Sequence, residues 1–109
     1  MLDEYIIGNT NRISPEAPVP IINTNEINYT LGGAANVAMN LKSLGAIPIL
    51  SGVIGKDEQG KRIEKLLKDN KISNFLFKKN NIPTILKSRI ISKNQQVVRI
   101  DREGNISDY

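Results

Sequence analysis

The 109-residue sequence predicts an α/β fold with a partly parallel sheet. Extended and helical patterns alternate in its middle part, in the order strand, helix, buried strand, helix, strand, which is typical of parallel βαβ units. A hairpin pattern follows toward the C-terminal end and adds an antiparallel pair. The length allows at most one domain, spanning residues 1–109.

The first strands are predicted from β-branched and alternating residues. Residues 5–7 (YII) are short and β-branched, and residues 26–31 (EINYTL) alternate apolar and polar side chains as a half-buried strand does. Between them, residues 11–20 contain three prolines. These prolines exclude a helix and predict an extended loop that leads into residues 19–23.

A helix is predicted directly after Gly32 and Gly33. Three apolar residues recur there at i, i+4 and i+7. The alanines of the same segment form a small-residue face that lets a helix lie close to a sheet. The apolar residues are Val37, Leu41 and Leu44, and the alanines are Ala34 and Ala38.

The sequence also predicts where this helix ends and where the next strand runs. Gly45 stands where a helix commonly ends, and Pro48 prevents the helix from continuing. Residues 47–55 (IPILSGVIG) form a nearly continuous apolar run. Such a run predicts a strand buried on both faces.

Asp57 is predicted to cap a second helix over residues 58–70, with a buried stripe of Ile63, Leu66 and Leu67. Gly60 within this helix costs about 1 kcal/mol relative to alanine, so we expect close packing there.

Three further segments read as strands. Residues 75–77 (FLF) form a short one, and residues 84–92 and 96–101 flank KNQ as the arms of a hairpin. The pattern allows a hairpin loop of two or three residues.

Composition excludes several classes of protein. The chain has no Cys and no His, so it lacks disulfides, thiolate metal sites and the usual acid–base group at neutral pH. No apolar run approaches the roughly 20 residues that cross a membrane, and a cytoplasmic protein without a membrane partner is expected. The net charge is +4, but the lysines are dispersed and aromatic residues are few. We therefore expect no nucleic-acid partner.

The turn before the first predicted helix is a candidate binding site. Gly32 and Gly33 allow positive φ and remove both Cβ atoms, so a ligand can approach the backbone next to a helix N-terminus. The amide of Asn36 can both donate to and accept from sugar hydroxyls. The alternatives are a tight strand-to-helix turn and an asparagine that ties down the preceding loop.

Charged residues on predicted strands form a second group of candidates. Asp3, at a strand end, can accept hydrogen bonds from hydroxyls, although a solvated terminal acid is the alternative. Lys87 and Arg89 lie two apart and so share one strand face, where they suit a phosphate or form an exposed basic face. Arg99 on the partner strand joins them only if the undecided hairpin register allows it.

Taken together, these residues resemble the ribokinase-like (PfkB) sugar kinases. The match consists of GGAANVA (residues 32–38), Gly45 seven residues after Ala38, and Gly55 ten residues further on. A narrower similarity, to the heptose 7-phosphate kinases of that family, covers nearly the whole chain. It rests on MLDEY, NRISPEAPVPI, GGAANVAMNLKSLGA and SRIISKNQQVVRID.

The resemblance implies an α/β sandwich with a small β lid over the sugar, of which residues 1–109 are the N-terminal, sugar-binding and lid part. It implies that one group of residues contacts the sugar and that another group, on the lid, faces the phosphate of the substrate. The first group is Asp3, Gly32, Gly33 and Asn36, and the second is Lys87 and Arg89.

The resemblance also implies the reaction and the partners. The γ-phosphate of ATP, with Mg²⁺, is transferred to the C1 hydroxyl of D-glycero-D-manno-heptose 7-phosphate, a step toward ADP-heptose and lipopolysaccharide core. The lid edges of such kinases often pair in a homodimer.

Three departures from the family pattern bear on activity. The later Gly-Ala-Gly-Asp motif, which supplies the base in the family, does not occur in these residues. The apolar strand ending in Gly-Asp is absent before MLD, and Leu31 stands where relatives usually have proline. We therefore expect no catalytic residue and most of the ATP site to be missing, so the isolated chain should be inactive. A non-catalytic remnant, a carbohydrate-binding module, and a kinase for another sugar remain alternatives.

Overall fold

The α/β class is confirmed by the computed structural model, which describes residues 1–105, 107 and 109. Six strands and two helices form its regular elements. They are β1 (Leu2–Ile13), β2 (Pro20–Leu31), α1 (Ala34–Ser43), β3 (Ile49–Gly55), α2 (Glu58–Asp69), β4 (Ser73–Lys79), β5 (Leu86–Ser92) and β6 (Gln95–Arg102). In this part of the chain no helix is long and apolar enough to cross a membrane.

The larger sheet has four strands in the order β2-β1-β5-β6. β1 pairs antiparallel with β2 and parallel with β5, while β5 and β6 form the predicted hairpin. The hairpin loop is Lys93–Asn94, and both residues have positive φ, 50° and 62°. Positive φ at both central positions is the signature of a type I′ turn, so the loop has two residues.

The first hairpin is longer than the sequence indicates. β1 and β2 each contain 12 residues, and only residues 14–19 connect them. Two of the three prolines lie in this connection, and Pro20 begins β2, a position where a strand tolerates proline. The predicted loop over residues 11–20 is therefore wrong at both ends.

The second sheet contains β3 and β4, which pair in parallel and are joined through α2. Asp57 caps α2 as predicted, because its Oδ1 accepts a hydrogen bond of 2.8 Å from the Gly60 amide. Ile63 and Leu67 are buried, and Leu66 packs against the core from a partly buried position. A Cβ at Gly60 would lie 2.4 Å from the Gly55 carbonyl oxygen, which confirms the expected close packing.

One hydrophobic core joins the four-stranded sheet, the two helices and β3. Its buried members come from β1, β2, β3, β5, both helices and the turn after α2. They are Leu2, Leu31, Ala35, Ala38, Ile54, Ile63, Leu67, Ile72 and Leu86.

The apolar stripe of α1 does not face this core. Val37, Leu41 and Leu44 are exposed, while Ala35 and Ala38 are buried. The helix packs through its small residues because these allow its backbone to approach the strands closely. Its C-terminal end agrees with the prediction, since Gly45 has φ +90° and its amide hydrogen-bonds to the Lys42 carbonyl.

β3 is a strand as expected, but it is not buried on both faces. One face of the β3–β4 sheet packs against α2, and no described element covers the other. Ile49, Phe75 and Phe77 lie on that uncovered face and are 65%, 68% and 65% exposed. We call this surface the bare sheet face.

A clamp around Asp57 ties the end of β3, the start of α2 and the segment before β5 together. Besides capping α2, Asp57 Oδ1 accepts from the Thr84 hydroxyl at 2.7 Å, and Oδ2 accepts from the Thr84 amide at 2.9 Å. The Thr84 hydroxyl in turn accepts from the Gly55 amide at 3.0 Å. Thr84 is 1% exposed, so these hydrogen bonds are made out of contact with water.

Replacing Thr84 by valine keeps the side-chain shape and removes the hydroxyl from the clamp. We expect Thr84→Val to lower the free energy of unfolding by about 1–3 kcal/mol, because the Gly55 amide loses its buried acceptor. Urea unfolding followed by circular dichroism measures this change. The matched control is Thr24→Val at an exposed position of β2, expected to stay within about 0.5 kcal/mol. Equal effects of the two substitutions would contradict the clamp.

The clamp also predicts a pH dependence of stability. Burial raises the pKa of the Asp57 carboxyl, but hydrogen bonds from Thr84 and Gly60 outweigh burial and hold it below its usual value. A carboxyl with a lowered folded-state pKa contributes stability above its unfolded pKa of about 4. This contribution is lost as the pH falls through the folded-state pKa.

We therefore expect the free energy of unfolding to fall below about pH 4, and to fall less steeply in Asp57→Asn. Urea titrations at several pH values between about 5 and about 3 give both slopes. Asp69→Asn, at an exposed carboxylate of α2, serves as the control. The same slope in wild type and Asp57→Asn would refute the assignment.

Candidate functional site

The candidate residues gather where β1, β2 and β5 run side by side. Asp3 on β1 pairs with Thr30 of β2 on one side and with Lys87 of β5 on the other. Side chains at paired positions point to the same face of a sheet. One face of the larger sheet therefore carries Asp3 together with Lys87 and Arg89, and we call it the charged lid face. Gly32 and Gly33 lie in the turn after β2, and Asn36 lies on α1.

Asp3 and Gly32 are in direct contact. A Cβ built on Gly32 would lie 2.8 Å from both Cγ and Oδ2 of Asp3, closer than real side chains approach. The Gly32 amide donates to the Met1 carbonyl at 3.1 Å, which fixes the glycine beside the start of β1. The missing side chain at position 32 is thus what makes room for the carboxylate.

Gly33 turns the chain from β2 into α1. It is the N-cap residue of α1, with φ 55° and ψ −131°, a conformation that favours glycine. No side chain caps α1 in the part of the chain that the structure describes, and its first turn contains no acidic residue. The start of α1 therefore keeps a partial positive charge that a polar ligand can use.

Asn36 lies in the first turn of α1 and is exposed. Its side chain makes no hydrogen bond within the described residues, so the alternative of tying down the preceding loop finds no support. It lines a cleft of about 360 Å³ between β2, α1 and α2, on the side of the larger sheet that carries Tyr29 and α2 and not the side that carries Asp3. No contact joins Asn36 to Asp3.

Arg89 meets Asp3 across the strand pair. Its Nη1 lies 2.9 Å from Asp3 Oδ1, and its Cζ lies 5.4 Å from the ring centre of Tyr5. The hydrogen bond that Arg89 donates to the Asp3 carboxylate raises the pKa of Arg89. The Asp3 side chain is only 14% exposed, so it is not the solvated terminal acid of the alternative interpretation.

Lys87 and Arg89 share one face as predicted, and each forms an ion pair with a carboxylate. Lys87 Nζ lies 3.2 Å from Asp101 Oδ2 on β6. Asp101 also contacts Arg99, whose Nε lies 2.9 Å from Oδ1. Burial raises the pKa of Asp101, but hydrogen bonds from Lys87 and Arg99 outweigh burial and lower it.

Asp101 is a site residue that the sequence reasoning missed, and the face of Arg99 is now settled. The hairpin register pairs Arg89 with Arg99 and Lys87 with Asp101. The two-residue Lys93–Asn94 loop alone would place Arg89 opposite Val98, but a register shift between Ile90 and Ile91 moves the pairing by one residue. The sequence pattern carried no signal for this shift.

The opposite face of the larger sheet anchors it to α2. The Ser88 hydroxyl hydrogen-bonds to Glu4 Oε2, and the guanidinium of Arg62 lies 4.2 Å from the ring centre of Tyr29. A hydrogen bond between Tyr29 and Glu4 is the main cause that raises the pKa of Tyr29. This network fixes the orientation of the sheet that carries Asp3 and Arg89.

The described residues offer no site for a catalytic metal. Among residues 1–105, 107 and 109, no group of three or more His, Cys, Asp or Glu side chains could hold a metal ion. The Asp3 and Asp101 carboxylates are each paired with a cation.

Solved structures with the same arrangement define the class of fold. A carbohydrate kinase from Agrobacterium tumefaciens superposes with a TM-score of 0.72 at 18% identity, over 92% of this chain and 32% of that one. A nucleoside kinase from Methanocaldococcus jannaschii, an archaeal member of the ribokinase family, gives 0.64 at 24% identity, over 94% and 33%. The chain has part of the ribokinase-like fold.

Sequence comparison then gives the family. Residues 3–108 match the sequence model of the pfkB family of carbohydrate kinases. This match covers nearly the whole chain, and the chain therefore belongs to the pfkB family of carbohydrate kinases.

Two similar curated proteins share one name. The bifunctional protein HldE of Actinobacillus pleuropneumoniae serotype 5b is 50% identical over 103 residues, which are 94% of this chain and 22% of that protein. HldE of Coxiella burnetii strain RSA 331 is 43% identical over 109 residues, which are 100% and 23%. The chain thus spans less than a quarter of the length of these relatives, and it matches an N-terminal part of the kinase domain.

The contact between Asp3 and Gly32 predicts that even a methyl group at position 32 is not tolerated. We expect Gly32→Ala to displace the Asp3 carboxylate and to lower the free energy of unfolding by about 1–3 kcal/mol. Gly52→Ala is the matched control, since a Cβ there would meet no atom within 4 Å. Urea unfolding of both variants measures the difference, and equal effects would contradict the contact.

Proposed function

We propose that the chain is the sugar-binding and lid portion of a heptose 7-phosphate kinase. The sugar is D-glycero-D-manno-heptose 7-phosphate, and its C1 hydroxyl receives the γ-phosphate of ATP. The product leads to ADP-heptose and lipopolysaccharide core. The observation that carries this proposal is the Asp3 carboxylate, which sits against the bare backbone of Gly32. Similarity to two HldE proteins favours this substrate over other sugars.

Asp3 accepts hydrogen bonds from the sugar hydroxyls. The ion pair with Arg89 fixes the orientation of the carboxylate. Oδ2 has no hydrogen-bond partner among the described residues, so we propose that it accepts from the sugar hydroxyls. Because Gly32 has no side chain, the carboxylate lies directly against the turn that leads into α1. The binding geometry is therefore set before the sugar arrives, which reduces the entropy lost on binding.

Gly33 and Asn36 complete the sugar contacts from the start of α1. The uncapped amides of the first turn donate to sugar oxygens, and the Asn36 amide donates and accepts at the rim of the cleft. Asn36 is exposed and makes no internal hydrogen bond, so its polar atoms are available without breaking one. Asn36 and Asp3 approach the sugar from different elements.

Lys87 and Arg89 face the 7-phosphate in this proposal. They lie next to Asp3 on the neighbouring strand. Because β1 lies between β2 and β5, the phosphate end of a sugar bound at Asp3 lies over one of these two strands. Only β5 carries cations at the paired positions, since β2 presents Thr30 and Asn28 there. The position of the positive charges thus favours a substrate that is already phosphorylated.

Phosphoryl transfer needs parts that lie outside the described residues. ATP and Mg²⁺ supply the phosphoryl group and the charge neutralisation, and phosphoryl transfer depends almost entirely on positioning and electrostatics. These 109 residues contribute sugar binding and water exclusion, but no catalytic base. We propose that the isolated chain binds the sugar phosphate in the cytoplasm without phosphorylating it.

A homodimer through the lid belongs to the same proposal. β2 and β6 are the outer strands of the larger sheet, and no described strand pairs with their outer edges. Exposed edge strands are templates for pairing with another chain. Two copies that pair along these edges would cover the backbone groups that each leaves unpaired.

A non-catalytic carbohydrate-binding module is the second candidate. A pfkB-type kinase for another sugar is the third. The three are separated by which ligands bind and by whether ADP is released.

The first test is binding of D-glycero-D-manno-heptose 7-phosphate to the full 109-residue chain by isothermal titration calorimetry. We expect Asp3→Asn to weaken binding about tenfold or more, because the charged acceptor for the hydroxyls is lost. Asp69→Asn, with the same change of charge on the exposed side of α2, should bind as wild type does.

The second measurement is ADP release with ATP, Mg²⁺ and the same sugar, which we expect to be absent for the isolated chain. Sugar-dependent ADP release by this chain would refute the proposed inactivity. Tighter binding of unphosphorylated sugars would favour the module or a kinase for another sugar, and no difference between Asp3→Asn and wild type would refute the sugar site.

A further inference from the structure

Five charged side chains form a compact pattern on the charged lid face. Two rows cross the neighbouring strands β1, β5 and β6. One row contains Asp3, Lys87 and Asp101, and the row beside it contains Tyr5, Arg89 and Arg99. The three cations and two carboxylates of this pattern carry a net charge of +1.

Arg89 and Arg99 lie directly opposite each other on paired strands. Like charges at such positions repel and destabilise a sheet. Each arginine is held by a carboxylate of its own, Asp3 for Arg89 and Asp101 for Arg99. No described carboxylate bridges the two guanidinium groups, so the place between them suits an anion.

The spacing of the strands relates this place to the sugar site. Neighbouring strands lie about 4.8 Å apart, so β1 and β6 are separated by about 10 Å across β5. A six- or seven-carbon sugar with a terminal phosphate can extend from Asp3 across β5 to Arg99. A free sugar or a short hydroxy acid would not reach β6.

We propose that Arg99 and Arg89 together clamp the terminal phosphate of the substrate, and that Asp101 is the counter-ion that positions Arg99 and Lys87 for it. This inference rests on the proposed function, since it takes the hydroxyl end of the sugar to be held by Asp3. The ligand class is a phosphomonoester dianion on a six- or seven-carbon sugar.

Exposure supports different roles for the two arginines. Arg89 is 23% exposed and is fixed by Asp3 beside the ring of Tyr5, while Arg99 is 48% exposed and can turn toward a ligand. The planar guanidinium group suits two oxygens of one phosphate. Lys87 adds a third positive charge from the neighbouring row, without a planar fork.

Asp101 acts by position and does not contact the phosphate. In the free chain its carboxylate holds Lys87 and Arg99 on the charged lid face. Because it also competes with an incoming phosphate for both cations, its removal should tighten phosphate binding while it destabilises the sheet. A purely structural ion pair would change stability alone.

The test uses the full 109-residue chain with three probes: D-glycero-D-manno-heptose 7-phosphate, the unphosphorylated heptose and inorganic phosphate. We expect Arg99→Gln to weaken binding of the sugar phosphate about tenfold and to leave the unphosphorylated heptose unaffected. Asp101→Asn should tighten the sugar phosphate severalfold. The Nε–Hε resonances of Arg89 and Arg99 should both shift when the sugar phosphate binds, in ¹⁵N-labelled chain.

The matched control is Arg102→Gln, which removes the same charge from the same strand on the opposite face. Equal weakening by Arg99→Gln and Arg102→Gln would overturn the inference, because it would indicate non-specific attraction. Equal affinity of wild type for the two sugars would also overturn it while leaving the sugar site intact. If Asp3→Asn alters no binding, or if wild type binds no probe, the proposed function falls as well.

Discussion

The position of the candidate residues on β5 and β6 depends on the hydrogen bonds of one carboxylate, that of Asp57. It caps α2, accepts from the hydroxyl and amide of Thr84, and thereby holds the segment that leads into β5. Because β5 begins at Leu86, this clamp determines where the strand enters the larger sheet beside β1. The pairing of β5 with β1 in turn brings Arg89 to Asp3, and the β5–β6 hairpin, with its register shift between Ile90 and Ile91, brings Arg99 and Asp101 into the adjacent positions. A contact in the α/β part thus sets the geometry of the charged lid face.

Glycine has two separate uses in this site. At Gly32 the Asp3 carboxylate occupies the space that a side chain would take, so the carboxylate lies directly beside the turn into α1. At Gly33 the positive φ is what turns the chain into α1. The pair therefore joins a carboxylate acceptor and uncapped helix amides within one turn, which suits a ligand whose hydroxyls both donate and accept.

Local chemistry could be predicted from the sequence, whereas its tertiary setting could not. The cap at Asp57, the close packing of Gly60 and the glycine end of α1 follow from residues within one turn of each other, and all three are confirmed. The burial of Val37 and of the β3 face depends on which elements cover them, and that information is not local. Asp101 escaped notice for the same reason, because its partner Lys87 lies on another strand, in a register that the apolar pattern left open. The resemblance gave the family and a set of candidate sugar-site residues, but it did not give the ion pairs that Asp3, Lys87 and Arg89 make.

The bare sheet face affects how long the chain would survive in a cell before it is degraded. Parallel strands are normally covered on both faces, and here three large apolar side chains and both outer edges of β3 and β4 lack cover from the described residues. Chaperones and proteases recognise such surfaces, so quality control would remove the chain quickly unless another polypeptide shields it. The intracellular half-life of the chain therefore reports on whether it finds a companion.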